Sequence, residues 1–155
     1  MFSRVVKMLD PTPSHGRYTL RPAGEADEAF LWALKVATLK PYIEKLYGWD
    51  EGHARSVMRK MMHKAQVVLV DGEPAGILKV KQEDSFIELS EIGLMPEYQG
   101  RGLGTQIIQD VLAVADGLGF DVELQVFSIN PASRLYERLG FKETHKKMCR
   151  RVGGG

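Results

Sequence analysis

The chain of 155 residues is 44% hydrophobic and 26% charged, which suits one globular domain with a full core and leaves too little chain for two. Twenty-one basic residues against twenty acidic ones give a net charge of +1, so charge offers no reason to expect nucleic acid or an anionic membrane as the main partner. Gly at 16 and Pro at 7 exclude a fibrous or disordered class, while the single Cys149 forms no internal disulfide and fits no metal-ligand spacing, so a reducing cytoplasm is the expected compartment. Residues 1–16 read as a loose leader ending in Pro11, Pro13 and Gly16, with no apolar run long enough for a signal peptide. Arg17 to Arg21 is a short strand with Tyr18 and Leu20 on one face. Glu25 to Lys40 has helical spacing, with Phe30, Leu31, Leu34, Val36 and Ala37 as its apolar stripe. Pro41 restarts a second helical piece to Tyr47, and Asp50 is the N-cap expected for a third helix reaching about His63.

From Gln66 the texture changes to strands. Gln66 to Val70, the turn Asp71-Gly72, Ala75 to Lys81 and Ser85 to Leu94 read as an antiparallel run. Leu103, Ile107, Ile108, Val111, Leu112 and Ala115 keep a helical period between Gly102 and Gly119, and Gly117 and Gly119 supply the stop. Val122 to Phe127 is a strand, Pro131 to Leu139 a short helix, and Phe141 to Arg150 a last strand before the tail Gly153 to Gly155. The order predicts an α/β (α+β) domain over 17–152, a mixed sheet with helices on both faces.

The segment Leu94 to Thr105 joins a strand to the head of the long helix. Three glycines in five residues, Gly100, Gly102 and Gly104, let backbone approach a ligand, and the first helical amides carry the positive end of the helix dipole. That combination suits a pyrophosphate, with Arg101 adding a full charge. A Walker loop fails, because Gly104 is followed by Thr105 and Gln106 rather than Lys and Ser/Thr. A dinucleotide fingerprint fails at Thr105, and Asp121 opens the next strand instead of closing it.

Gln99-x-x-Gly102-x-Gly104 after Leu94-x-Pro96 resembles motif A of the GNAT superfamily. Leu124 to Asn130, Ala132, and Leu135-Tyr136 to Gly140-Phe141 resemble its motif B, and the likeness extends over 17–151. Gly48-Trp49-Asp50-Glu51, Tyr42-Ile43, Glu91-Ile92 and Thr144-His145 are similar to a narrower bacterial subgroup of mostly unassigned substrate. The resemblance implies a mostly antiparallel sheet of about six to seven strands, in which a bulge splays the fourth strand from the fifth. It implies acetyl-CoA as cosubstrate, no metal, a primary amine of a small molecule or peptide as acceptor, and a homodimer as a possible assembly. By position, the backbone of Ile92, Gly93 and Leu94 pairs with the pantetheine arm. Gln99, Gly100, Arg101, Gly102, Leu103, Gly104 and Thr105 form the pyrophosphate loop, and Asn130 bonds the arm from the fifth strand.

Direct acyl transfer needs a neutral amine, a group to take its proton and an acid for the departing thiolate. Tyr136 matches the family's acid, with a packing tyrosine as the alternative reading. For the base, Glu88 matches the family position on the fourth strand. Glu91 points the other way unless the bulge lies between them, and a water is the third alternative. Tyr42, Trp49 and Glu51, with Tyr47 and Asp50, offer aromatic faces beside carboxylates that suit a cationic amine. His145 reads as a surface histidine, and Lys142, Lys146, Lys147, Arg150 and Arg151 as a solvated basic edge. A non-catalytic acyl-CoA sensor is the competing function, and a nucleotide-binding regulator a more distant one.

Overall fold

The computed structural model describes residues 17–125, 133–144 and 147–151. In chain order these form β1 (Thr19–Pro22), α1 (Glu28–Thr38), α2 (Lys40–Tyr47), α3 (Glu51–Met61), β2 (Gln66–Val70), β3 (Glu73–Gln82), β4 (Phe86–Leu94), α4 (Leu103–Leu118), β5 (Asp121–Gln125), α5 (Ser133–Arg138), β6 (Lys142–Thr144) and β7 (Lys147–Arg150). The strands make one seven-stranded sheet in the order β1-β2-β3-β4-β5-β7-β6. Among the described residues only β4 and β5 run parallel; every other pair is antiparallel.

Local chemistry accounts for most boundaries. Asp71 and Gly72 both have positive φ, 52° and 81°, the backbone a two-residue hairpin turn needs. Asp50 caps α3 by accepting a 3.0 Å hydrogen bond from the His53 amide. Gly119, at φ 78°, ends α4 in the left-handed conformation, and the Phe120 amide then bonds back to the Ala115 carbonyl at 2.9 Å. Gly117 lies inside that helix, so Gly119 alone supplies the stop. The expected strand from Phe141 to Arg150 is in fact two, β6 and β7, which pair through Thr144↔Lys147 and Lys142↔Cys149. The reversal falls in a run of polar residues without Gly or Pro, so no turn signal announces it.

Two apolar clusters sandwich the sheet. On one face Leu103, Ile107, Ile108, Val111, Leu112 and Ala115 of α4 pack with Tyr18, Leu20, Leu78, Val80, Ile87, Leu89, Tyr136 and Phe141. On the other, Leu31 and Leu34 of α1 and Met58 of α3 cover Ile77. The basic edge is not simply solvated: Arg150 makes a double hydrogen bond to Asp116 at the end of α4, at 2.9 and 3.2 Å, and Arg151 pairs with Asp121 at 3.1 Å. No helix among the described residues is long and apolar enough to cross a membrane.

Gly76 on β3 is where backbone comes closest. A Cβ there would run into the Gly93 carbonyl oxygen of β4 and lie 2.8 Å from Leu94 Cδ2. Gly76→Ala must therefore push β4 away from β3, at a cost of about 3 kcal/mol. For a chain of this size that lowers Tm by roughly 6–12 °C, measurable by circular dichroism. An unchanged melting curve would show that β4 yields without cost.

Candidate active site

Among the described residues β4 pairs with β3 along its length and with β5 from Phe86↔Asp121 to Leu89↔Leu124. Gln125 continues β5 and pairs with Lys147 of β7. β4 runs on to Leu94, and the outer edge of Ser90 to Leu94 has no strand partner among the described residues.

The β3–β4 register shifts at the same place. Lys79 faces Glu91 but Val80 faces Leu89, which leaves Ser90 as an extra residue in β4. One inserted residue returns the alternation to the same side, so Glu88 and Glu91, three apart, share a face. It is the face covered by α1 and α3, because their partners Lys81 and Lys79 alternate with Leu78 and Val80 of the opposite cluster. The two carboxylates differ in company. Glu91 is half-buried and ion-paired to Lys79 at 3.1 Å. Glu88 accepts a 3.3 Å hydrogen bond from Ser90 Oγ, while its register neighbour Lys81 pairs with Glu83 at 3.2 Å. Glu123, opposite Glu88 in the parallel pair, adds a carboxylate that the motifs do not single out.

The glycine turn lies at the end of β4. Gly100 and Gly102 have φ of 74° and 78°, left-handed backbone that a side chain would strain, and Gly102 is the N-cap of α4. The first helical bond is that of the Gln106 amide to the Gly102 carbonyl, so the amides of Leu103, Gly104 and Thr105 precede it without intrahelical acceptors. Arg101 leans over the Tyr98 ring at 5.7 Å. Arg17, 84 residues away in sequence, donates to the Arg101 carbonyl at 2.6 Å and braces the turn from beside β1. No local pattern could reveal it. The Gln99 side chain donates to the Leu94 carbonyl at 2.8 Å, so here it ties the turn to the strand end rather than pointing out as a phosphate donor.

Tyr136 is buried in the α4-side cluster, edge-on to Phe141 with ring centroids 5.9 Å apart. Burial raises its phenol pKa above the ordinary value, so the hydroxyl keeps its proton at neutral and mildly alkaline pH. It lies on the opposite face of the sheet from Glu88 and Glu91. Asn130 and His145 fall outside the described residues.

On the α1–α3 face an open cleft of about 500 Å³ is lined by Lys35, Ile43, Tyr47, Trp49, His53 and Val57, among others. A separate pocket of about 40 Å³, which shares Lys35 and Val57 with the cleft, is lined by Ile77, Lys79 and Glu91 on the sheet. Lys35 lines both, and it is a residue the sequence does not single out. Of the expected substrate residues, Trp49 lines the cleft, whereas Tyr42 on α2 and exposed Glu51 at the head of α3 do not.

One parallel pair inside a mostly antiparallel sheet, with a glycine turn and helix head following β4, is the architecture of a CoA-dependent acyltransferase fold. A family model described as the acetyltransferase (GNAT) family matches residues 31–141, and the chain belongs to that family. A curated relative, an uncharacterized N-acetyltransferase, CgeE, of Bacillus subtilis (strain 168), is 26% identical over 69 residues. That match takes in 44% of this chain and only 27% of the relative's length. Among solved structures, an acetyltransferase from Thermus thermophilus is similar with a TM-score of 0.68 and 20% identity, over 88% of this chain and 97% of that one. The PaiA N-acetyltransferase of Thermoplasma acidophilum, solved with coenzyme A, is similar with a TM-score of 0.64 and 17% identity, over 85% and 96%.

Proposed function

We propose that the protein transfers acetyl from acetyl-CoA to a primary amine by direct attack in a ternary complex. The observation that carries this is the glycine turn after β4, where Gly100 and Gly102 hold left-handed backbone and the amides of Leu103 to Thr105 stand at the head of α4 ahead of its first helical bond. An extended pantetheine arm suits the strand that leads into this turn: its amides can pair with the outer edge of Ile92, Gly93 and Leu94 as a strand would. At the far end the amides of Leu103 to Thr105, with Gly100 and Gly102 clearing the approach, take the pyrophosphate, and Arg101 adds charge. Coenzyme A in the Thermoplasma structure supports the same reading.

The thioester then lies near Glu88, which stands one residue before the last described β4–β5 pair. The amine nitrogen attacks the thioester carbonyl carbon and the C–S bond breaks. Glu88 takes the amine proton, directly or through water, and the Tyr136 hydroxyl protonates the leaving sulfur. Glu91, held by Lys79, is the poorer base and helps to shape the acceptor pocket. Gly48-Trp49-Asp50-Glu51, the segment that suggests a narrower bacterial subgroup, borders that pocket at Trp49.

Calorimetry with coenzyme A and acetyl-CoA tests the reading, followed by thiol release from acetyl-CoA across a panel of amines. Binding with acceptor-dependent release is the expected result. Absence of coenzyme binding by the folded protein overturns the proposal, and binding without release for every amine favours a sensor.

A further inference from the structure

We infer that the acceptor is a small amine that also carries a carboxylate, and that Lys35 receives this carboxylate in the cleft between α1, α2 and α3. The inference rests on the acetyltransferase reading above and narrows it to a class of substrate. It begins with the charges that line the cleft. Of the aromatic faces expected to hold a cationic amine, Trp49 already has a cation of the protein over it: Lys40 lies 5.7 Å from the centre of its ring. Asp50, the carboxylate among the described cleft residues, is exposed and caps α3. In the smaller pocket beside the cleft, Glu91 is paired with Lys79. The lysine of the cleft is Lys35, half-buried, whose ammonium makes no hydrogen bond or ion pair with any described residue.

Burial lowers the Lys35 pKa; Glu91 opposes this and Lys79 reinforces it, so the ammonium is partly desolvated without a counter-charge in contact. An unpaired ammonium beside apolar Ile43, Tyr47 and Val57 suits an anionic oxygen on a compact, partly apolar molecule. Lys35 also lines the smaller pocket that includes Glu91 of β4, so a carboxylate held at Lys35 leaves the rest of the molecule to carry its amine toward β4. A cationic or uncharged amine would leave Lys35 without a partner.

The test uses full-length protein and matched acceptors, each amino acid or short amino carboxylate against its own amide. The amide keeps the primary amine and loses only the negative charge. The carboxylate form is expected to show kcat/KM about tenfold or more above its amide, although the amide's less basic amine gives it more free nucleophile. Lys35→Met should bring that ratio close to one, and Lys35→Arg should restore most of it. Tryptophan fluorescence, from Trp49 in the cleft and Trp32 5.9 Å from it, gives a readout without turnover, with the carboxylate form binding more tightly than the amide. If no acceptor releases thiol, the acetyltransferase reading fails while the fluorescence comparison still decides the carboxylate site. Equal use and equal binding of the two forms by the wild-type protein, or a preference that survives Lys35→Met, overturns the inference. The wild-type comparison stands even if a Lys35 variant folds poorly.

Discussion

Tyr136→Phe is expected to lower kcat by about 100-fold or more while acetyl-CoA affinity changes only a few-fold. The substitution removes one oxygen and keeps the ring that packs edge-on to Phe141 at 5.9 Å, so the α4-side cluster should survive and the loss should fall on the chemical step. The departing thiolate needs a proton, and burial keeps this phenol neutral and able to supply one. The sign of the shift also bears on pH. Because the folded-state pKa is raised above the ordinary value near 10, any alkaline fall in rate caused by ionisation of Tyr136 must lie above that value. Steady-state kinetics of the two proteins, with coenzyme affinity measured by calorimetry, decide the matter. An unchanged kcat removes Tyr136 as the acid and leaves it a packing residue.

Glu88→Gln should also be severe, lowering kcat/KM by about 100-fold near neutral pH, whereas Glu91→Gln should cost less than about tenfold. Among the described residues Glu88 has the Ser90 hydroxyl as its hydrogen-bond partner and no ion pair, its register neighbour Lys81 being paired with Glu83, and it stands one residue before the last described β4–β5 pair. Glu91 is committed to Lys79, and breaking a partly exposed pair costs about 1 kcal/mol of stability. The Glu88→Gln defect should shrink as pH approaches the acceptor's own pKa, because the amine then arrives already deprotonated and needs less help from a base. Rate profiles of the two variants over a common pH range measure this. The reverse order of severity would move the base to Glu91; equal and small effects would assign the proton to water.

The element order was readable from local signals where one residue dictates its own backbone. Asp71-Gly72 specifies a hairpin turn, Asp50 a helix start and Gly119 a helix end, and the six apolar positions of α4 all face the core. The glycine turn at the head of α4 is legible for the same reason, since positive φ at Gly100 and Gly102 is a property of those positions. The reversal between β6 and β7 is not, because Thr144 to Lys147 carries no turn residue and the pairing comes from β5 beyond.

Family, the order of the elements up to β6 and the glycine turn were present in the bare string of residues, because each depends on spacing along the chain and on the backbone preferences of single residues. Which side chains meet was settled by packing alone. The single inserted residue Ser90 puts Glu88 and Glu91 on one face, Arg17 reaches the turn from 84 residues away, and Lys35 comes to line a cleft without an ion pair among the described residues. Register, long-range contact and desolvation arise when distant segments pack, so spacing along the chain does not encode them.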